Sequence, residues 1–489
     1  MEEQGLLWEV VEIADCIECT KPLYDELFIR GIEFNSKNVK DGDLFIAMQG
    51  EYTDGHKYVN DAFSRGAAAA LVSRIPDCLS KEEREKLFLV KDTKQAMISL
   101  AKFRRSQLQG KVIGVTGSVG KSSTKNMLLH YQKQHRNVSA AVRSFNNENG
   151  VCISMMRTPR DVDCAIYEMG MDKAGEIANL SSIIQPDIAV ITTVGKAHLG
   201  AFDKVKDIAD AKAEIFSHCA SNAIAILNHD NEYFNYLCDC AINYNVNHII
   251  SFGKHPESDV RLLSIEHNAG GLDVIVSIFG DIINIHTGWM PDHQVMNFLI
   301  VLAVESILQE DFHIHMNDII SLPWCSMKGR GQLSEIVVKQ WGNDSGILVM
   351  DESYNANPVS MKAAIKSFGS LKSHPFVKNR NTGYCYAVLG DMLGLGKTED
   401  YEHAALSEIK DLENFDRIIT VGKQMKSMMY KLPEHLRGPS FIDVQSAIEY
   451  VVNIVSNGDL VFIKGSNAIG LSHMVQDLQQ LGSMKYINL

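Results

Sequence analysis

Long apolar runs are missing from this chain of 489 residues, and the longest, Phe298 to Val304, falls far short of the roughly 20 residues that span a bilayer. A membrane-spanning helix is therefore not expected. Excess basic charge is missing too: 47 Lys and Arg stand against 60 Asp and Glu, a formal net charge of −13. Binding a polyanion needs a concentrated basic face, so nucleic acid is excluded as a general partner, while small phosphorylated ligands remain open through local lysines. The ten cysteines do not make a paired zinc-ribbon spacing, since the close sets Cys16-x-x-Cys19 and Cys238-x-Cys240 differ from each other. Reduced thiols of a cytosolic protein are the expectation. Met1 to Gly5 is acidic and lacks a basic stretch followed by an apolar core, so no signal peptide is read and a cytoplasmic location is expected. No short-period repeat or low-complexity segment is visible.

What is present is an ordinary globular composition, 45% hydrophobic and 22% charged, in a chain too long for one hydrophobic core. Three domains are expected. From Asp43 the sequence reads as a small α/β unit, with apolar runs Leu44 to Ala47 and Ala67 to Val72 and a last strand, Leu87 to Val90, before a boundary near Asp92. The charged stretch Lys81 to Lys86 reads as a solvated helix face. Strand patterns at Val112 to Val115, Cys164 to Tyr167, Ile188 to Val194 and Ala223 to Leu227 alternate with helical ones, which predicts a largely parallel sheet. After Leu322-Pro323 and the turn Lys328 to Gly331 the alternation restarts, with strands at Ile347 to Met350, Tyr386 to Leu389, Arg417 to Val421 and Leu460 to Ile463. The predicted fold is α/β in three domains: a small N-terminal α/β domain (1–92), a central P-loop-type, mostly parallel sheet domain (93–325), and a C-terminal Rossmann-like domain (326–489).

Chemistry concentrates first in Thr116-Gly117-Ser118-Val119-Gly120-Lys121-Ser122-Ser123, between an apparent strand and an apparent helix. The first N–H groups of a helix have no partner within it and face whatever fills the turn before it. Glycines at 117 and 120 let backbone approach phosphate oxygens, Lys121 can neutralise β- and γ-phosphate charge, and the Ser122 hydroxyl can ligate Mg²⁺. Triphosphate with Mg²⁺ is the natural ligand. The strict G-x-x-x-x-G-K-[ST] pattern is not met, because valine stands at 115, so a purely structural Gly-rich turn is the competing reading.

Glu168 and His198 each lie just past a predicted strand, at the carboxyl edge where ligands of doubly wound sheets collect. Taken singly, each is also explained as a surface carboxylate or an ordinary loop histidine. Lys212 is stranger, because on a helix predicted from Lys204 to His218 it shares the apolar face of Val205, Ile208, Ala209, Ile215 and Phe216. Either its stem packs while the ammonium snorkels to water, or a neutral amine adds CO₂ to become a carbamate that ligates a cation. Asp351 precedes the polar turn Glu352 to Asn357 and a helix opened by Pro358, so its carboxylate suits ribose hydroxyls or a helix N-cap.

These segments together resemble the ATP-dependent Mur ligases of peptidoglycan synthesis. The resemblance runs in order through Asp43-Leu44-Phe45, Asp54-Gly55-His56, the turn at 117–122, Ser144 to Gly150, Glu168-Met169-Gly170, Gly175-Glu176-Ile177, Val194-Gly195 with Ala197-His198, Ala211 to Ile215, Tyr354 to Pro358, Leu389 to Met392 and Lys464-Gly465-Ser466. Within the family, Asn146-Asn147-Glu148, Tyr354 to Pro358 and Leu389 to Met392 look like the branch that adds D-alanyl-D-alanine. The resemblance implies a ligase whose first domain holds the UDP end of UDP-N-acetylmuramoyl-tripeptide, whose central domain holds ATP, and whose third domain holds the incoming dipeptide. It implies Lys121 on the transferring phosphoryl group, Ser122 and Glu168 on one Mg²⁺, and His198 with carbamylated Lys212 on a second. Asn297 would contact adenine, Arg330 the phosphates and Asp351 the ribose, with Ser36, Asn146, Asn147, Tyr354 and Asn357 on substrate. A monomer is expected. A sister ligase adding a single amino acid, and a homologue that binds nucleotide without making a bond, are the alternatives. The chain departs from the family pattern at Asn35-Ser36-Lys37 (for Asp-Ser-Arg), Thr193 (for Asn), Gln294 (for Asn), Gly394 (for Glu) and Asn467 (for Arg), two of them in the dipeptide-binding region.

Overall fold

A computed structural model describes residues 6–23, 27–50, 53–141, 145–196, 200, 202, 204–268, 271–308, 326–342 and 345–487. Three main sheets follow one another along the chain, each mixed with helices. The first has five strands. Gly31–Glu33, Asp43–Ile46, Ala69–Val72 and Leu87–Val90 run parallel in that spatial order, and Cys19–Thr20 closes the edge antiparallel.

The central sheet has nine strands, and its parallel part is ordered Val138–Ala140, Cys164–Glu168, Lys111–Thr116, Ile188–Ile191, Ile224–Asn228, His248–Gly253. Lys111–Thr116 thus sits between strands reached by crossovers in opposite directions, and its carboxyl end opens at the crevice where such sheets bind ligands. Every residue from Val112 to Thr116, Cys164 to Glu168 and Ile188 to Ile191 is buried, as a parallel sheet covered on both faces requires. The strand read to Val194 ends at Ile191. Beyond it Thr192 folds over the phosphate turn, with its N–H on Thr116 O at 3.0 Å and its hydroxyl on Val119 O at 2.5 Å.

Val260–Asn268, Gly271–Ile278 and Asp281–Thr287 extend the sheet, the last two pairs antiparallel. The third sheet has seven strands. Arg437–Phe441, Arg417–Val421, Cys385–Gly390, Leu460–Lys464 and Gly346–Glu352 are parallel, followed by antiparallel Gln332–Val337 and Ser483–Tyr486.

The run Phe298 to Val304 lies in the helix Asp292–Leu308, where all seven residues are fully buried. Along this run the helix is apolar all round because both its sides are covered. One continuous cluster passes from Val115 and Tyr131 of the central unit through Phe298 and Leu302 to Met361 and Phe368 of the third. Among the described residues no helix is long and apolar enough to cross a membrane.

Candidate active site

The phosphate turn is held from behind before anything can bind in front of it. Gly117 has φ +149°, and a Cβ there would lie 1.9 Å from Thr192 Oγ1, while Gly120 has φ +87° and a Cβ would lie 2.8 Å from Asn297 Oδ1. Side chains at either position are excluded by strain and by contact. Ser118 ties the turn to the next loop, its hydroxyl donating to Gly195 O and accepting from Gly195 N, both at 3.0 Å. Thr116 Oγ1 donates to Met169 O at 2.9 Å, which aligns the ends of adjacent strands. The helix Lys121–Gln132 starts directly from Gly120, so its free N–H groups point into the crevice.

Lys121 Nζ donates to Gly117 O at 2.8 Å and so stands over the turn. Burial lowers its pKa, and nearby Arg330 lowers it further against the opposing pull of Glu168 and Asp172. Glu168, 2% exposed, accepts from Ser122 Oγ at 2.6 Å and from Asn146 Nδ2 at 2.9 Å. A hydroxyl and a buried carboxylate with a spare lone pair on each oxygen make a hard oxygen donor set, which suits Mg²⁺.

Lys212 is 1% exposed, on the helix Val205–Ala213 that continues as a 3₁₀ turn to His218. The snorkelling alternative therefore fails, because the whole side chain is inside. Desolvation drives its pKa well below the ordinary lysine value, and the like charge of Lys121 pushes it in the same direction. A protonated Lys212 does not fit a cation site, whereas a neutral amine, or the carbamate it can form, does. His198 lies outside the described residues.

A cavity of about 970 Å³ opens over the turn, Lys121, Ser122 and Glu168; Lys212 does not line it. Of the predicted residues, Ser118, Val119, Gly120, Lys121, Ser122, Ser123, Asn146, Asn147, Glu168, Asn297, Arg330, Tyr354 and Asn357 line it, so the central and third units face one another across it. Thr116 and Gly117 do not line it. Asn147 and Asn357 also cap helices, accepting from Gly150 N at 2.9 Å and Ser360 N at 2.8 Å.

Asp351 is 2% exposed and is not among the lining residues. Its Oδ2 accepts from Gly329 N at 2.9 Å and its Oδ1 from Ser353 N and Oγ at 3.0 and 2.6 Å. It fixes the turn that carries Arg330, whose guanidinium lies 4.1 Å over the Tyr354 ring, and the helix cap belongs to Asn357 instead. Ser36 is likewise off the cavity, and its hydroxyl holds the Asp61 carboxyl below its ordinary value.

Sequence reasoning missed the pair beneath the Tyr354 loop. Lys464 Nζ donates to Glu352 Oε2 at 3.2 Å and to Asn355 O at 3.0 Å, and all three residues line the cavity. Lys464-Gly465-Ser466 was visible as a motif, but its partner lies 112 residues away. Two departures from the family pattern also find roles. Gln294 Nε2 donates to Arg330 O at 2.9 Å, and Gly394, at φ +79°, presents its carbonyl to Gly200 N at 3.0 Å across the two units.

That seam also carries an ion pair, Lys196 Nζ to Glu402 Oε1 at 2.7 Å, with Glu402 buried and Lys196 half exposed. Single reversals, Lys196→Glu or Glu402→Lys, are expected to lower kcat/KM and Tm. The double reversal should recover a coupling of about 1 kcal/mol, small because one partner reaches solvent. A double-mutant cycle with no coupling would remove the pair from any role in holding the units together.

Fold and site together define a phosphate-binding α/β enzyme whose cleft closes between a P-loop-type unit and a second, Rossmann-like unit. Three family models match in order: "Mur ligase family, catalytic domain" over 28–105, "Mur ligase middle domain" over 115–305 and "Mur ligase, glutamate ligase domain" over 336–467. The chain belongs to the Mur ligase family. It is similar to the UDP-N-acetylmuramoyl-tripeptide--D-alanyl-D-alanine ligase of Rickettsia prowazekii, 31% identical over 96% of this chain and 97% of that one, and to that of Bacillus subtilis, 30% identical over 96% and 98%. Among solved structures it resembles MurF from Acinetobacter baumannii (TM-score 0.80, 25% identity, 97% and 99% covered). It also resembles MurF ligase from Thermotoga maritima in complex with ADP (TM-score 0.75, 26% identity, 94% and 99% covered).

Proposed function

We propose that this chain is an ATP-dependent carboxylate–amine ligase that adds D-alanyl-D-alanine to UDP-N-acetylmuramoyl-tripeptide in peptidoglycan precursor synthesis. The observation that carries the reading is the Lys121, Ser122 and Glu168 constellation facing Arg330, Tyr354 and Asn357 across one cavity. Phosphoryl chemistry on one wall and an acceptor pocket on the other is what a ligase of this kind needs. The domains take the roles the resemblance implies, with 1–92 on the UDP end, 93–325 on ATP and 326–489 on the dipeptide.

In the first step the tripeptide's terminal carboxylate attacks the γ-phosphorus, breaking its bond to the ADP oxygen and giving an acyl phosphate. In the second the dipeptide amine attacks the acyl carbon, a tetrahedral intermediate forms, and phosphate leaves as the amide is made. Backbone N–H groups of 118–122 and the Lys121 ammonium stabilise charge on the transferring phosphoryl oxygens. Asn297, packed against Gly120, bounds the nucleotide end, and Asp351 positions Arg330 toward the phosphates. Ser122 and Glu168 would hold one Mg²⁺, and His198 with carbamylated Lys212 a second; the ions supply charge neutralisation on phosphate oxygens. Burial of the site between two units protects an acyl phosphate from water. The enzyme acts as a monomer in the cytoplasm, where ATP and the nucleotide-linked substrate are available.

The test is ADP release with UDP-N-acetylmuramoyl-tripeptide, with and without D-alanyl-D-alanine, followed by mass analysis. Dipeptide-dependent ADP release with the pentapeptide product is expected. ADP release without that product, or product formed with a single amino acid instead, overturns the assignment.

A further inference from the structure

Away from this cavity, two neighbouring parallel strands of the central sheet deliver histidines to one point. The pairing of Ile224–Asn228 with His248–Gly253 sets Asn228 opposite Phe252, so the residues that follow, His229 and His255, leave the same sheet edge side by side. Asp230 clamps the two loops, its carboxylate accepting from Lys254 N at 2.8 and 2.9 Å and from His255 N at 2.8 Å. Gly253, at φ +153°, leaves room for that carboxylate, since a Cβ there would lie 2.8 Å from Asp230 Oδ1. The His229 ring is stacked between Phe234 and His255, 4.0 Å from each.

One ring nitrogen of each histidine and a carboxylate oxygen of Glu257 lie within 4.8 Å of one another. His229 Nδ1 is buried with no hydrogen-bond partner. His255 Nδ1 receives a long contact, 3.3 Å, from Glu257 N. None of the three residues lines the ligase cavity.

We propose that His229, His255 and Glu257 form a second metal site, specific for an imidazole-seeking divalent ion of the zinc class, that pins the two loops together. Two imidazoles, one carboxylate and an open position for water satisfy a tetrahedral ion with bonds of about 2.0–2.2 Å. His255 and Glu257 are exposed, so side-chain rotation brings their donors the remaining distance without moving the clamped backbone. Charge agrees: the carboxylates of Glu257, Asp230 and Asp259 act on the His229 ring and favour a cation beside it.

The full-length protein in saturating Mg²⁺, which occupies oxygen-ligand sites, is titrated with ZnCl₂ by calorimetry and with CoCl₂ by absorption spectroscopy. One histidine-dependent equivalent per chain is expected, together with a Zn²⁺-dependent rise in Tm and a Co²⁺ spectrum without sulfur charge-transfer bands. His255→Ala and Glu257→Gln, both at exposed positions, should weaken binding by at least about tenfold and leave turnover unchanged. His229→Ala should do the same if it folds. Binding that neither exposed substitution alters, absence of Zn²⁺ binding, or sulfur bands pointing to Cys238 and Cys240, overturns the proposal.

Discussion

Replacing Lys121 with alanine is expected to lower kcat for ADP formation by at least about 10³-fold, with Tm little changed. The ammonium stands over the phosphate turn, 2.8 Å from Gly117 O, at the start of a helix whose N–H groups already point the same way. A cation placed on a transferring phosphoryl group acts mainly in the transition state, where charge spreads over its oxygens, so its loss appears in kcat rather than in nucleotide affinity alone. Removal of one preorganised donor alone is worth about 10²–10³ in rate, and Lys121 adds full charge to that. Lys121→Arg should recover little, because a planar guanidinium places its charge and donors differently from the compact ammonium 2.8 Å from Gly117 O. An alanine variant within about tenfold of wild type would remove Lys121 from the chemistry.

Lys212→Ala is the second large effect, with an expected loss of about 10²–10³ in kcat and partial recovery on adding acetate or formate. The reasoning is desolvation. A lysine that is 1% exposed, beside Lys121, is unfavourable as a cation, so the side chain is held as an amine or as the carbamate formed when that amine adds CO₂. A small carboxylate entering the space left by truncation can replace the lost anionic oxygens, whereas it cannot replace a lost ammonium. ¹³C NMR in labelled bicarbonate gives a readout independent of turnover: a carbamate carbonyl signal in wild type that is absent from Lys212→Met. Full activity and a raised Tm in Lys212→Met would identify Lys212 as an ordinary buried amine and overturn the carbamate.

Legibility in the sequence followed the range of the forces involved. The Gly-rich turn was readable because its glycines, lysine and serine belong to one strand–turn–helix unit, and Gly117 and Gly120 adopt the positive φ that such a turn asks of glycine. The inward face of Lys212 was readable because helical period alone places it with Ile208, Ala209 and Ile215. The hairpin strands from Val260 to Thr287 were not recognised. They are partly solvated antiparallel strands, and Gly271–Ile278 alternates buried and half-buried residues instead of forming the continuous apolar runs of the parallel core. The bonding of Asp351 was equally hidden: a carboxylate after a strand suits ribose or a cap by local rule, and only the return of Gly329 beside it assigns its oxygens to the Arg330 turn.

Residue order alone was enough for the succession of α/β units, the Gly-rich turn at a strand's carboxyl end and the family, because hydrophobic period and turn chemistry are local properties of the chain. Which distant groups meet is a matter of the folded chain: Glu352 with Lys464, Lys196 with Glu402, His229 with His255, and Arg330 over Tyr354. Those meetings depend on strand order and on the buried helix Asp292–Leu308 that joins two cores, and neither is set by any one segment. The same seven apolar residues, Phe298 to Val304, illustrate the difference. Their length excluded a membrane span from sequence, but only packing on both sides made them the joint between the central unit and the third.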